Sequence, residues 1–220
     1  MPLALFDLDN TLINGDSDHL WGEFLVRHGH VDGEHYRREN DRFYAQYQKG
    51  TLNINDWLAF QLAPLVANDP DTLDAWHAQF MEETIDSILL PSAQALIDQH
   101  RERGHTAVII TATNRFITEP IAARYGIDGR HLIATEPERD AAGRFTGKIV
   151  GTPCFQEGKI TRLNAWMDQH GANLDDSHFY SDSHNDLPLL RAVTHPTVVH
   201  ADPTLAAEAS EKGWPSIDLR

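Results

Sequence analysis

From Pro91 onward the chain alternates between short apolar runs and helix-length amphipathic segments, and this alternation restricts the fold more than any other feature. "PSAQALIDQHRERG" reads as a helix with Pro91 in its first turn and Gly104 at its end. "HTAVIIT" reads as a buried strand, "FITEPIAARYG" as a helix with Pro120 near its start, and "RHLIAT" as a strand. "GRFTGKIVG" suggests a hairpin about Thr146-Gly147, and "QEGKITRLNAWMDQHG" an amphipathic helix. "SHFYSD", "NDLPLLRAV", "PTVVH" and "PTLAAEASEKG" continue as strand, short helix, strand and helix. Strands that alternate with helices form an open, mainly parallel sheet covered on both faces. An earlier apolar run, "LALF" at 3–6, supplies one more strand.

Between Asn14 and Leu89 the texture differs. Apolar residues recur at helical spacing, as in Leu20 with Phe24, Trp21 with Leu25, Phe43 with Tyr47, Leu58 with Leu62, and Trp76 with Phe80. Breaks at "HGHVDG", "QKGTLN" and "ANDPDT" divide the block into four expected helices. The expected organisation is an α/β core of residues 1–13 and 90–220, with a helical insertion at 14–89. An insertion placed after the first strand sits over the C-terminal edge of the sheet, where open α/β sheets bind ligands. There it can act as a lid.

Composition sets the remaining limits. Apolar residues make up 41% of the 220, enough for a substantial core. The net charge of −15 opposes nucleic-acid backbones and anionic membranes, so neither is an expected partner. It also repels anionic substrates, so a phosphate site needs a local positive centre. The single cysteine, Cys154, rules out an intrachain disulfide and reads as a small packing residue. No basic leader with a long apolar stretch begins the chain, and no run approaches a membrane span. These features predict a cytoplasmic protein.

Chemistry concentrates where predicted strands end. "LALFDLDNTL" runs an apolar strand into Asp7 and Asp9, with Thr11 beyond. On extended backbone, residues i and i+2 share a side, and two carboxylates there repel unless a metal ion or a proton lies between them. "AVII" delivers Thr111, followed by Ala112, Thr113 and Asn114. Lys159 lies near a helix start, and "HFYS" leads to Asp182, with Asn185 and Asp186 just after. Each alone has an ordinary explanation as a helix cap, a turn residue or a solvated lysine. Their conjunction in this order does not.

In that order the residues resemble the haloacid dehalogenase superfamily of phosphohydrolases. The DxDxT motif matches "LFDLDNTL", the strand ending in Ser or Thr matches "VIIT", the helix-borne lysine matches "QEGKITRL", and the acidic strand end matches "YSDSHNDLPLL". The details look most like the branch that includes phosphoserine phosphatases. The resemblance implies a Rossmann-like doubly wound parallel sheet carrying a small helical cap. It also implies a Mg²⁺-dependent phosphomonoester hydrolase working through an aspartyl-phosphate. Asp7 is then the nucleophile, Asp9 the general acid and base, Thr111 a phosphoryl donor and Lys159 the positive centre. Asp7, Asp182 and the Asp9 carbonyl hold the metal, with Asp186 supporting. Thr11, Ala112 and Asn185 are expected beside the substrate.

For the rest of the substrate, alignment with the family's phosphoserine enzymes puts Asp16 at the position that takes an amine. It puts Gln61 where those enzymes carry a carboxylate-binding arginine. A neutral amide cannot replace a bidentate guanidinium. The resemblance thus favours an aminated ester without a carboxylate, L-histidinol phosphate first and phosphoserine or a broad range of small phosphates second. Trp21, Phe24 and Trp57 offer an imidazole surface if they are not core. A phosphomutase, or a non-catalytic phosphate-binding module, is a less favoured alternative. His184 reads as an exposed spacer, and the other histidines, including His28 and His30, as surface residues.

Overall fold

The computed structural model describes residues 1–220. Six parallel strands form the sheet: β1 (Leu3–Phe6), β2 (Thr106–Asn114), β3 (Leu132–Thr135), β6 (His178–Ser181), β7 (His195–Val199) and β8 (Ser216–Ile217). Their spatial order is β3-β2-β1-β6-β7-β8. The chain winds outward from β1 through β2 to β3, then returns to lay β6 on the other flank of β1. The order therefore reverses between β1 and β6, and ligands collect at such a switch point. β1 is apolar on both faces because helices cover both, and all four of its residues are buried. Those helices are α5 (Pro91–Glu102), α6 (Arg115–Arg124), α7 (Glu157–His170), the short α8 (Leu187–Leu190) and α9 (Pro203–Lys212). The two-residue β8 is too short to have left a periodic signal in the sequence.

The inserted block holds α1 (Ser17–Arg27), α2 (Gly33–Gln48), α3 (Ile54–Ala67) and α4 (Pro70–Glu83), followed by a 3₁₀ turn at Ile85–Ser87. Side chains of Asp16, Asn53 and Asp69 cap α1, α3 and α4 by accepting N–H bonds of the first turn. The block leaves and rejoins the sheet side by side, through an antiparallel bridge between Ile13 and Leu89 and a bond from the Asn14 N–H to the Ile88 carbonyl at 2.9 Å. It does not have a core of its own. One apolar cluster of 30 buried residues runs from Phe6, Ile109 and Ile121 of the sheet side into Trp21, Phe24, Leu62 and Phe80 of the block. Trp21 and Phe24 are fully buried there. They pack against each other at 5.4 Å between ring centroids, and against Phe80. They are core, and only Trp57 of the three aromatics reaches a cavity.

Two expectations need correction. The hairpin pairs β4 (Pro137–Arg139) with β5 (Phe145–Ile149), so its turn lies at Asp140–Gly143 and Thr146-Gly147 falls inside β5. Asp140 builds that turn by accepting the N–H groups of Ala142 and Arg144, each at 2.9 Å, and Gly143 takes the φ of +79° that the reversal needs. The histidines also depart from a surface distribution. His77 is buried with Nε2 3.1 Å from the Ile117 carbonyl, and His100 is 1% exposed. Burial, then the neighbouring His178, His105 and Arg103, push His100 down to about 4, so its imidazole is neutral at physiological pH. Cys154 behaves as expected: it is fully buried, and burial pushes its thiol up to about 12. No helix is long and apolar enough to cross a membrane.

Candidate active site

Asp7 is the first residue beyond β1, and its N–H bonds the Tyr180 carbonyl of β6 at 2.9 Å. That bond fixes the chain at the switch point. The Asp7 carboxylate meets Lys159 Nζ at 2.7 Å, and Lys159 also meets both oxygens of Asp186, at 2.7 and 2.8 Å. Ser181 Oγ donates to Asp186 Oδ2 at 2.7 Å and holds that carboxylate in place. Asp7, Lys159 and Asp186 are all buried. Burial alone would lower the Lys159 ammonium, but Asp186 and Asp7 outweigh it and raise its pKa, so it stays charged. Burial pushes Asp7 up to about 7 even with Lys159 opposing, and Asp186 and Asp9 add to the rise.

Lys159 reaches this point because of an unusual helix start. Gln156 precedes α7 with φ +50°, and a Cβ on Gly158 would lie 2.0 Å from the Pro153 carbonyl oxygen. Only glycine fits there, so the first turn of α7 packs flush on the preceding loop.

Asp9 also faces the cavity, but it is held by other groups. Its Oδ1 accepts the Ser17 N–H at 2.6 Å, and its Oδ2 accepts Thr113 Oγ1 at 2.9 Å and Thr111 Oγ1 at 3.4 Å. Burial raises its pKa, with Ser17 and Thr113 opposing. Thr11 does not line the cavity; its hydroxyl donates to Asp182 Oδ1 at 3.3 Å. Asp182 is raised well above the usual carboxylate range by burial, then by Asp7 and Asp186. Four carboxylates, Asp7, Asp9, Asp182 and Asp186, therefore share one buried ammonium. The charge deficit and the all-oxygen donor set suit a hard divalent cation.

A narrow cavity, about 30 Å³ to the centres of water-sized spheres, lies above these groups. Asp7, Asp9, Thr111, Ala112, Thr113 and Phe155 form its floor, while Asp16, Asp18, His19, Phe43, Tyr44, Tyr47 and Trp57 line it from the inserted block. Asp16, singled out by sequence, lies in this wall, and burial followed by Asp9 pushes its carboxyl up to about 7. Asp18 was not singled out. It is 6% exposed, its Oδ1 has no hydrogen-bond partner, and burial followed by Asp16 and Asp9 raises it strongly. The i, i+2 repeat in "GDSDH" was the available signal.

Two expected substrate contacts lie elsewhere. Gln61 is 1% exposed inside the helical block and does not line the cavity. Both of its amide atoms lack partners. An arginine at that place would bury its charge among apolar helices and clamp nothing. Asn185 spends its amide on neighbours: Nδ2 reaches the Tyr47 carbonyl and Ser183 Oγ, each at 3.2 Å, and Oδ1 accepts Gln156 Nε2 at 3.1 Å. His184 is no spacer either. Its N–H and its Nδ1 both meet Asp202 Oδ2, at 2.6 and 2.8 Å, and Gly50 packs on its ring. Asn185 and His184 thus fasten the end of α2 over the acidic cluster.

Known proteins are similar to this chain in sequence and in fold. The chain matches the haloacid dehalogenase-like hydrolase family over residues 4–191. It is 44% identical over 221 residues to a histidinol-phosphatase of Neisseria meningitidis, covering 99% of each chain. It is 31% identical over 223 residues to phosphoserine phosphatase SerB1 of Mycobacterium tuberculosis, covering 99% of this chain and 70% of that protein. A solved structure of a Bordetella pertussis protein of unknown function superposes with a TM-score of 0.92 at 44% identity, covering 100% of this chain and 99% of that one. A substrate-bound phosphoserine phosphatase shares the fold with a TM-score of 0.71 at 18% identity, over 98% of this chain and 92% of that one. With its acidic site at the strand reversal and this match across the sheet and the inserted helices, the chain belongs to the haloacid dehalogenase-like hydrolases and is a phosphatase of that family.

Proposed function

We propose that the protein hydrolyses L-histidinol phosphate through an aspartyl-phosphate on Asp7. One observation carries the choice of substrate. The cavity wall has two carboxylates, Asp16 and Asp18, but no arginine or lysine. A substrate carboxylate would find no lysine or arginine there, whereas an ammonium and an imidazolium would each find a carboxyl group that their own positive charge helps to ionise. Trp57, Phe43 and Tyr44 supply flat apolar surface for the ring. The 44% identical Neisseria histidinol-phosphatase supports the same reading.

The chemistry follows from the floor. In the first step an Asp7 oxygen attacks phosphorus in line, forming the P–O bond as the ester P–O bond breaks. Asp9, whose pKa burial raises, gives its proton to the departing alkoxide. In the second step water attacks the phosphoryl group, Asp9 takes its proton, and the Asp7 carboxylate is released. Lys159 and the Thr111 hydroxyl offset the charge on the phosphoryl oxygens. Asp7, Asp182 and the Asp9 carbonyl are the donors we assign to Mg²⁺, which when bound neutralises phosphoryl charge as a Lewis acid. Thr11 acts through Asp182 and does not touch the substrate. Ala112 stays at the floor, where its backbone N–H is a candidate phosphoryl donor.

The substrate assignment is tested by comparing kcat/KM in one phosphate-release assay. Histidinol phosphate is expected to exceed phosphoserine by about thirtyfold or more, since an unpaired buried carboxylate costs about 2 kcal/mol. Asp18→Asn and Asp16→Asn should each weaken histidinol phosphate while sparing p-nitrophenyl phosphate, which has no amine. Asparagine at 16 keeps the α1 cap, so folding is not at issue. Better turnover of phosphoserine by the wild-type protein would overturn the assignment.

The metal assignment predicts a pH-dependent melting shift. Asp7 has its carboxyl raised from 3.8 to about 7, so in metal-free protein its stability contribution is full below about pH 4. That contribution is lost as pH rises through 7, where the charged form must be buried. Mg²⁺ binds the charged form and should reverse the loss. The Mg²⁺-induced rise in melting temperature is therefore expected to be small at pH 5.5 and to grow through pH 8, and calorimetry in EDTA and in excess Mg²⁺ measures it. An equal rise at both pH values would exclude Asp7 as a ligand.

A further inference from the structure

Opposite the active site, at the N-terminal edge of the sheet, the chain gathers imidazoles. His100 lies in α5, His105 immediately precedes β2, and His178 and His195 open β6 and β7. His178 and His195 are register partners and stack at 4.5 Å, while His105 stacks on His178 at 5.2 Å. Donor nitrogens of His100, His105 and His178 all lie within 4.8 Å of one another. The closest pair, Nδ1 of His100 and Nδ1 of His105, is 2.9 Å apart.

We propose that His100, His105 and His178 form a second metal site, for a borderline divalent transition-metal ion such as Zn²⁺, separate from the Mg²⁺ site. Tetrahedral zinc with imidazole bonds near 2.0–2.1 Å places its donors about 3.3 Å apart. The His100–His105 pair stands slightly inside that spacing and a His178 nitrogen lies within 4.8 Å of both, so side-chain rotation closes the set. Ligand orientation is already provided. His100 Nε2 is 2.8 Å from the Tyr180 hydroxyl. With Nε2–H donating to that oxygen, Nδ1 turns its lone pair to His105 Nδ1. His195 is a less suitable donor because its Nε2 already pairs with Asp176 at 2.7 Å.

Charge near the site is mixed. Arg103 opposes a cation and Asp176 favours it, since both act on His178. Direct nitrogen donation decides the outcome. Nitrogen ligands select zinc, cobalt or nickel over the hard Mg²⁺, so the two sites draw on different ions. His178 and Asp182 are four residues apart along one chain direction, about 13 Å if extended. The bound ion would tie α5 to the starts of β2 and β6 without touching substrate.

The test titrates Co²⁺ into the full-length protein in saturating Mg²⁺. One equivalent should produce the strong visible absorption of tetrahedral cobalt, and added Zn²⁺ should abolish it. Zn²⁺ alone should raise the melting temperature by several degrees. His105→Gln and His178→Gln should each weaken Co²⁺ binding by about 10- to 100-fold. Both should keep wild-type Mg²⁺-dependent hydrolysis, since both residues are half-buried and remote from the cavity. A second measurement needs no variant: nitrogen-detected imidazole resonances of the wild-type protein should shift for three histidines on adding Zn²⁺. No visible band at one equivalent would overturn the proposal. So would a band equally strong in both variants, or zinc shifts confined to other histidines.

Discussion

Asp7→Asn is expected to lower phosphate release by roughly four to six orders of magnitude, the scale on which covalent catalysts lose turnover with their nucleophile. The substitution keeps the side-chain shape and removes both its charge and its nucleophilic oxygen pair. Burial is not disturbed, because Asp7 is 4% exposed and the isosteric amide occupies the same space. The amide loses the ion pair with Lys159, which retains both oxygens of Asp186. Folding should therefore survive, and the melting temperature in EDTA should rise at pH 8, where wild-type Asp7 is forced to carry a buried charge. Steady-state turnover and calorimetry on the same preparation check both halves. Turnover within tenfold of wild type would exclude Asp7 as the nucleophile. A lower melting temperature at pH 8 would show that its charge is a structural requirement instead.

The acidic floor of the candidate site was legible in the sequence for a physical reason. Parallel strands end at one edge, so acidic and hydroxyl residues that terminate successive apolar runs must meet there. Asp7, Thr111 and Asp182 come together on that rule alone, and Lys159 adds a helix start. The wall was less legible. Residues of the inserted helices reach the cavity according to helix rotation and tilt, which periodicity does not fix. Gln61 lies in "LAFQLAPLV", where nearly every side is apolar, so a linear alignment had no polar face against which to set the register. The histidines were missed for a related reason. His105, His178 and His195 are far apart in sequence and each sits just before or at the start of a strand, a place that reads as ordinary loop until the strand order is known. Asp9 shows a further limit: its sharing of a side with Asp7 was readable, but its restraint by Ser17 and Thr113 required the fold.

Lys159→Ala is the second large effect, and it separates an electrostatic role from a structural one. Removing the ammonium leaves Asp7 and Asp186 buried with no cation between them, and breaking such a pair costs about 3–5 kcal/mol when the leftover charge stays ionised. Here it need not stay ionised. Asp7 already titrates near 7 with Lys159 in place, and without the lysine its pKa climbs further. A raised folded-state pKa means stability that is present at low pH and lost as pH rises. The melting deficit of the variant in EDTA should therefore be small at pH 5 and large at pH 8. The loss of turnover should persist at every pH, because a protonated Asp7 is no nucleophile and the phosphoryl oxygens have lost their fixed counter-charge. Lys159→Arg is expected to recover much of the stability and little of the turnover. Lys159 presents a compact donor to three oxygens at 2.7 to 2.8 Å in a buried space, and a planar guanidinium cannot converge on them without displacing Asp7. Melting curves and kcat across pH 5–8 for both variants decide the matter. If turnover and stability fall together and recover together in acid, Lys159 holds the fold, and the positive centre for phosphate must be sought elsewhere.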